Sequence, residues 1–104
     1  FVAAGTLSAG ALPASGAGTR MMWSPKAAAF RAGSTSGDFW DESRVGLFSV
    51  AFGSDTVASG EFSAAVGKDT LASGIASMAI GRSTVASGMQ SLAAGHQAES
   101  RGNE

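Results

Sequence analysis

A 14-residue repeat fills the second half of this chain, and a period that short leaves few folds open. Its copies read SVAFGSDTVASGEF (49–62), SAAVGKDTLASGIA (63–76), SMAIGRSTVASGMQ (77–90) and SLAAGHQAESRGNE (91–104). With the places numbered one to fourteen, Ser opens every copy, Ala holds place three, and Gly holds places five and twelve. Thr56, Thr70 and Thr84 recur at place eight, and Ala58, Ala72 and Ala86 at place ten; the last copy departs there, with Ala98 and Ser100. Self-similarity at a fixed short period specifies a solenoid, in which each coil touches only its neighbours.

Within one copy, SVAFG and TVASG alternate with the period of two expected of strands, and each segment closes on Gly. The two glycines fall where the backbone turns tightly and where a positive φ is expected. A helix is excluded, because Gly every seven residues costs about 1 kcal/mol at each site and the apolar spacing is wrong for a 3.6-residue turn. Each coil is therefore predicted to be two short strands and two turns. Four coils stacked ~4.8 Å apart make a rod about 20 Å tall.

Parity assigns the faces. Places one, three and five carry only Ser, Ala and Gly, the side chains small enough to lie between two strands folded back on each other. Places two and four then point outward: Val50/Phe52, Ala64/Val66, Met78/Ile80 and Leu92/Ala94. On the second strand, the outward places nine and eleven are mixed, from Val57/Ser59 to Glu99/Arg101. Burying the six large side chains of the first wall is worth about 9–18 kcal/mol per chain, more than an Ala/Ser interior offers. Left in water, such a wall is an aggregation surface. A closed rotational oligomer with the walls meeting on its axis is the expected solution.

The chain has 104 residues, enough for one domain, with formal net charge -1 and pI near 5.7, which argues against a nucleic-acid or anionic-membrane partner. Cysteine is absent, which excludes disulfides and thiolate-bound metal. No apolar run approaches the ~18 residues of a membrane span, so direct membrane insertion is not expected. Residues 1–18 read as an irregular Gly/Ala/Ser-rich lead-in; they lack the basic start of a signal peptide, and the chain reads as a piece of something longer. Residues 19–48 hold Trp23, Trp40, Phe30, Phe39 and Phe48, and are expected to form an aromatic cap with a degenerate first coil near 35–48, since Gly46 falls in the place-twelve column. Residues 49–104 are the four repeats.

The segments SVAFG, MAIG and the trailing ASG closely resemble the head repeat of trimeric autotransporter adhesins, the YadA-like haemagglutinin heads of bacterial surfaces. The resemblance covers 49–104. It implies a single-stranded, left-handed parallel β-roll assembled as a homotrimer, with Val50, Phe52, Val66, Met78, Ile80 and Leu92 in the trimer seam. The stretch GTRMMWSPKAAAFRAG (18–33) looks like the lead-in before such repeats in large surface or fibre proteins. The stalk and membrane anchor of a full adhesin have no counterpart in these 104 residues.

Place six holds Ser54, Lys68, Arg82 and His96, a partly basic column that is either a solvated ladder or a contact strip for an anion, matrix protein or glycan. Trp23 and Trp40 are candidates for the same surface contact, because aromatic faces stack on sugars; the alternative is a cap over the first coil. His96 has no second His and no carboxylates at ligand spacing, so no metal or other cofactor is expected. The Thr column shares parity with inward Ala, so it is expected to serve backbone groups inside the coil rather than an ice-binding face. Asp38, Asp41 and Glu42 are the only dense carboxylates, and nothing places them in a hydrolytic pair. The expectation is a non-enzymatic adhesin head at the cell surface that contacts matrix, cells or another surface. The alternative is the trimeric shaft or tip of a phage or other extracellular fibre.

Overall fold

Two strands per period is what the chain forms. The computed structural model describes residues 18–24, 26–37, 39–40 and 44–101. Ten strands run in order: β1 (Gly18–Ser24), β2 (Ala29–Thr35), β3 (Val50–Ser54), β4 (Val57–Ala58), β5 (Ala64–Lys68), β6 (Leu71–Ala72), β7 (Met78–Arg82), β8 (Val85–Ala86), β9 (Leu92–His96) and β10 (Glu99–Ser100). The long strands β2-β3-β5-β7-β9 stack in parallel, and the short strands β4-β6-β8-β10 form a second parallel sheet. Register follows the repeat: Val50 pairs with Ala64, Ala64 with Met78, and Met78 with Leu92. The chain is thus an all-β parallel solenoid of about four turns.

The interior is as small as parity requires. Ala51, Ala65, Ala79 and Ala93 from the long strands meet Ala58, Ala72 and Ala86 from the short ones in one buried column. Ser49, Ser63, Ser77 and Ser91 are buried beside them, and each hydroxyl donates to the carbonyl of the place-twelve Gly three residues earlier, at 2.5–2.7 Å. The Thr column is buried as expected, but it does not serve the backbone as expected. The Thr70 and Thr84 hydroxyls have no protein hydrogen-bond partner, and only the Thr56 Oγ1 has one, accepting from Trp40. At Thr70 and Thr84 the space around place eight admits the β-branched side chain without supplying a polar neighbour.

The corners correct the expectation about positive φ. Place five does carry it, with Gly53, Gly67, Gly81 and Gly95 at φ 118–125°. Place twelve does not; Gly60 is required there for room, since a Cβ would lie 2.1 Å from the Gly74 carbonyl oxygen of the next coil. The left-handed residues are instead those at places seven and fourteen: Asp55, Phe62, Asp69, Ala76, Ser83, Gln90 and Gln97, all at φ 53–58°. Their amides point back along the stack, as in Asp69 N–H to Ser54 O and Ala76 N–H to Glu61 O, whereas strand amides such as Val50 N–H to Ser63 O point forward.

The N-terminal end departs from the repeat. β1 and β2 form an antiparallel hairpin, and β2 pairs in parallel with β3, Phe30 opposite Val50 and Gly33 opposite Gly53. The degenerate first coil therefore begins at β2, not near residue 35. Counting from Phe30 to its partner Val50, it is 20 residues long rather than 14. Arg31 occupies the inward place of Ala51, fully buried, and donates through Nη2 to Ser49 Oγ and Ala58 O. Ala58 O also accepts from Gly46 N–H; in the next coil the place-ten carbonyl takes two backbone amides, Ser59 N–H and Gly60 N–H on Ala72 O, so Arg31 stands in for the first of the two. All of the expected lead-in at 1–18 except Gly18, which opens β1, and the carboxylates Asp38, Asp41 and Glu42 lie outside the described residues.

Candidate interaction surface

Alternation along β3, β5, β7 and β9 turns places two, four and six to one outer face. There the structure places all six predicted seam residues: Val50 and Val66 half-buried, Phe52, Met78, Ile80 and Leu92 exposed, with Leu92 at 58 %. The register stacks them into a continuous strip, Phe52 beside Val66 and Val66 beside Ile80. Phe30, placed by the sequence in the cap, belongs to this strip too; its ring meets that of Phe52 edge-on, with centroids 5.6 Å apart.

Two borders flank the strip. On the side where the long strands end, Ser54, Lys68, Arg82 and His96 stack in register, the last three exposed. Lys68 reaches its sequence neighbour Asp69 only at 3.9 Å, with both side chains about half exposed, an ion pair worth little in water. On the side where the long strands begin, places thirteen and fourteen carry exposed Leu47, Phe48, Phe62, Ile75 and Met89, and exposed Glu61. The rings of Phe48 and Phe62 stack 5.2 Å apart at 10°. Parity reasoning missed this apolar corner because it falls in a turn; the signal was the place-thirteen column, apolar at Leu47, Ile75 and Met89 and interrupted by Glu61.

Of the two tryptophans that were candidates for a contact surface, Trp23 on β1 is half-buried, with its Nε1 buried and without a hydrogen-bond partner. Trp40 is not available: it is 0 % exposed, its Nε1 donates to Thr56 O at 2.8 Å, and the Arg20 guanidinium lies 5.7 Å from its ring centroid. Its bulk fills the end of the coil, so the expected surface role is overturned. Burial without a carboxylate partner pushes the Arg31 pKa down to about 10, which leaves it charged throughout the physiological range. Among the described residues no three His, Asp or Glu side chains converge to hold a metal, and no helix is long and apolar enough to cross a membrane.

The repeats form a parallel β-solenoid that buries mainly Ala, Ser and Thr and displays its larger hydrocarbon side chains on the outside. The YadA head domain repeat matches it twice, over residues 46–70 and 72–98, which together make half of the chain. The chain belongs to that family. No curated protein and no solved structure is significantly similar to it.

Proposed function

We propose that this chain is the head of a trimeric autotransporter adhesin, three left-handed rolls packed through Val50, Phe52, Val66, Met78, Ile80 and Leu92. The observation that carries the reading is the exposed apolar strip on a solenoid of the YadA head family: an Ala-wide interior cannot hide these side chains, and identical neighbours can. The head is non-enzymatic. It stands at the cell surface, anchored to the outer membrane through regions outside these residues, and attaches to an extracellular matrix protein or glycan. Contact falls to the exposed column Lys68, Arg82 and His96 and to Trp23. Three equivalent faces raise avidity without any contact being strong alone.

Sedimentation gives the first test, with an expected mass of three chains. Ile80→Asp places a carboxylate in the apolar seam, at a cost of several kcal/mol, and is expected to abolish trimer and fold together. An Ile80→Asp variant that remained trimeric would refute the seam. Binding of the trimer, but not of an Arg82→Ala/His96→Ala variant, to immobilised matrix proteins or glycan arrays is the second test. Inertness of the intact trimer would favour a spacer in a fibre.

A further inference from the structure

The strip is bordered by two corners of opposite character, and a ring of parallel copies forces them together. When each wall faces an axis running along the stack, contact between copies is heterologous: the trailing corner of one wall meets the leading corner of the next. The trailing corner is the basic column. Among the described residues the leading corner is mostly apolar and carries one acid, Glu61, beside the stacked pair Phe48 and Phe62.

Levels along the stack decide which residues meet. Glu61 and Phe62 lead directly into the coil whose long strand, β5, ends at Lys68. In copies at equal height, Lys68 therefore stands opposite Glu61 and Phe62. One coil on, Arg82 stands opposite Ile75 and Ala76, and at the next His96 stands opposite Met89 and Gln90. Among the described residues, the only acid in the leading corner is thus matched to the lysine level. We infer that Lys68 of one copy docks on the Glu61–Phe62 corner of the next, its ammonium on the carboxylate and its stem across the Phe62 ring.

This inference rests on the trimeric reading and adds to it a direction and a register. Asp69 stands beside Lys68 in the same corner, 3.9 Å from its ammonium, and a copy slipped by one coil would put Arg82 on Glu61 while leaving the strips unmatched at both ends. Arg82 and His96, opposite uncharged corners, keep their polar ends accessible along the groove between two copies. Ligand contact then contracts to these two, with Lys68 engaged by the neighbouring copy.

The absence of cysteine makes the test clean. Within one chain, positions 61 and 68 are separated by the length of β5, roughly 13 Å, beyond the ~7 Å Cα limit for a disulfide. Mild oxidation of the Glu61→Cys/Lys68→Cys variant is expected to give covalent dimers and trimers on a non-reducing denaturing gel, reversed by dithiothreitol, with neither single variant doing so. Sedimentation of the reduced sample separates the outcomes. A trimer that does not cross-link overturns the corner pairing alone, and a monomer overturns the trimer as well.

If the cysteine pair hampers folding, charge reversal reads the same contact. Lys68→Glu and Glu61→Lys each raise the trimer dissociation concentration by ~3–10-fold, and the double swap restores it. Two reversals that add rather than cancel overturn the pairing.

Discussion

The indole N–H of Trp40 donates to the carbonyl oxygen of Thr56 at 2.8 Å, and in the coils that follow the equivalent carbonyls receive backbone amides: Thr70 O from Val57 N–H and Thr84 O from Leu71 N–H. A side chain thus stands in for the amide that a preceding regular coil would supply. The Arg31 guanidinium does the same at Ala58 O. The first sheet edge is closed by two side chains and a hairpin, which blunts an otherwise open parallel template.

Trp40→Phe keeps the ring and removes the donor. It leaves Thr56 O buried without its indole partner, at an expected cost of about 1–2 kcal/mol and a melting temperature lower by several degrees. Calorimetry at fixed chain concentration checks this, since association shifts the midpoint as well. An unchanged midpoint would mean that another donor satisfies the Thr56 carbonyl.

The Thr column invites the opposite experiment. Thr70 buries a hydroxyl with no protein partner, so Thr70→Val, of nearly the same shape, is expected to stabilise by about 1 kcal/mol. Thr56→Val is expected to gain nothing, because its hydroxyl accepts from Trp40 Nε1 at 3.3 Å. Equal gains from the two variants would show that the Trp40 contact to the hydroxyl contributes nothing.

What could be read from sequence, and what could not, divides along one physical line. Features set by side-chain size repeat every fourteen residues and were legible: the Ala51-to-Ala93 column inside, and Phe52, Ile80 and their neighbours outside. Features set by backbone torsion were not, because the left-handed corners carry residues as different as Asp69, Ala76 and Gln90, and no residue type marks them. The capped end was also opaque. Arg31 at an Ala position breaks the pattern by which a coil is recognised, although Gly33 at place five, paired with Gly53, was a usable signal.

Those corners carry recoverable strain. Ala76 adopts φ 57°, a region costly for a residue with a Cβ and tolerated by Asn. Ala76→Asn is expected to stabilise by ~0.5–1 kcal/mol, read as a higher urea midpoint at unchanged slope. Because Ala76 lies in the leading corner at the Arg82 level, sedimentation of the same variant should still give the parent's mass. A loss of stability would show that the corner is held by packing rather than limited by torsion.

Arg31 gives the prediction with a defined pH dependence. Its pKa falls on burial from the ordinary guanidinium range to about 10, so the unfolded chain holds the proton more tightly than the folded one. The displacement corresponds to an unfavourable contribution of roughly 3 kcal/mol, full at every pH below about 10 and diminishing only as pH climbs from there toward the ordinary guanidinium range. Between pH 5 and 9 it is constant. Arg31→Met removes the charge and keeps most of the volume; it is expected to match or exceed the parent's stability by the same margin at pH 5, 7 and 9. Arg31→Ala restores the residue found at place three in every repeat, yet empties the end of the coil, and is expected to cost about 2–4 kcal/mol. Denaturant titrations of both variants across that range decide the matter. If Met is as damaging as Ala, then the bonds to Ser49 Oγ and Ala58 O, rather than the filled volume, hold the cap closed.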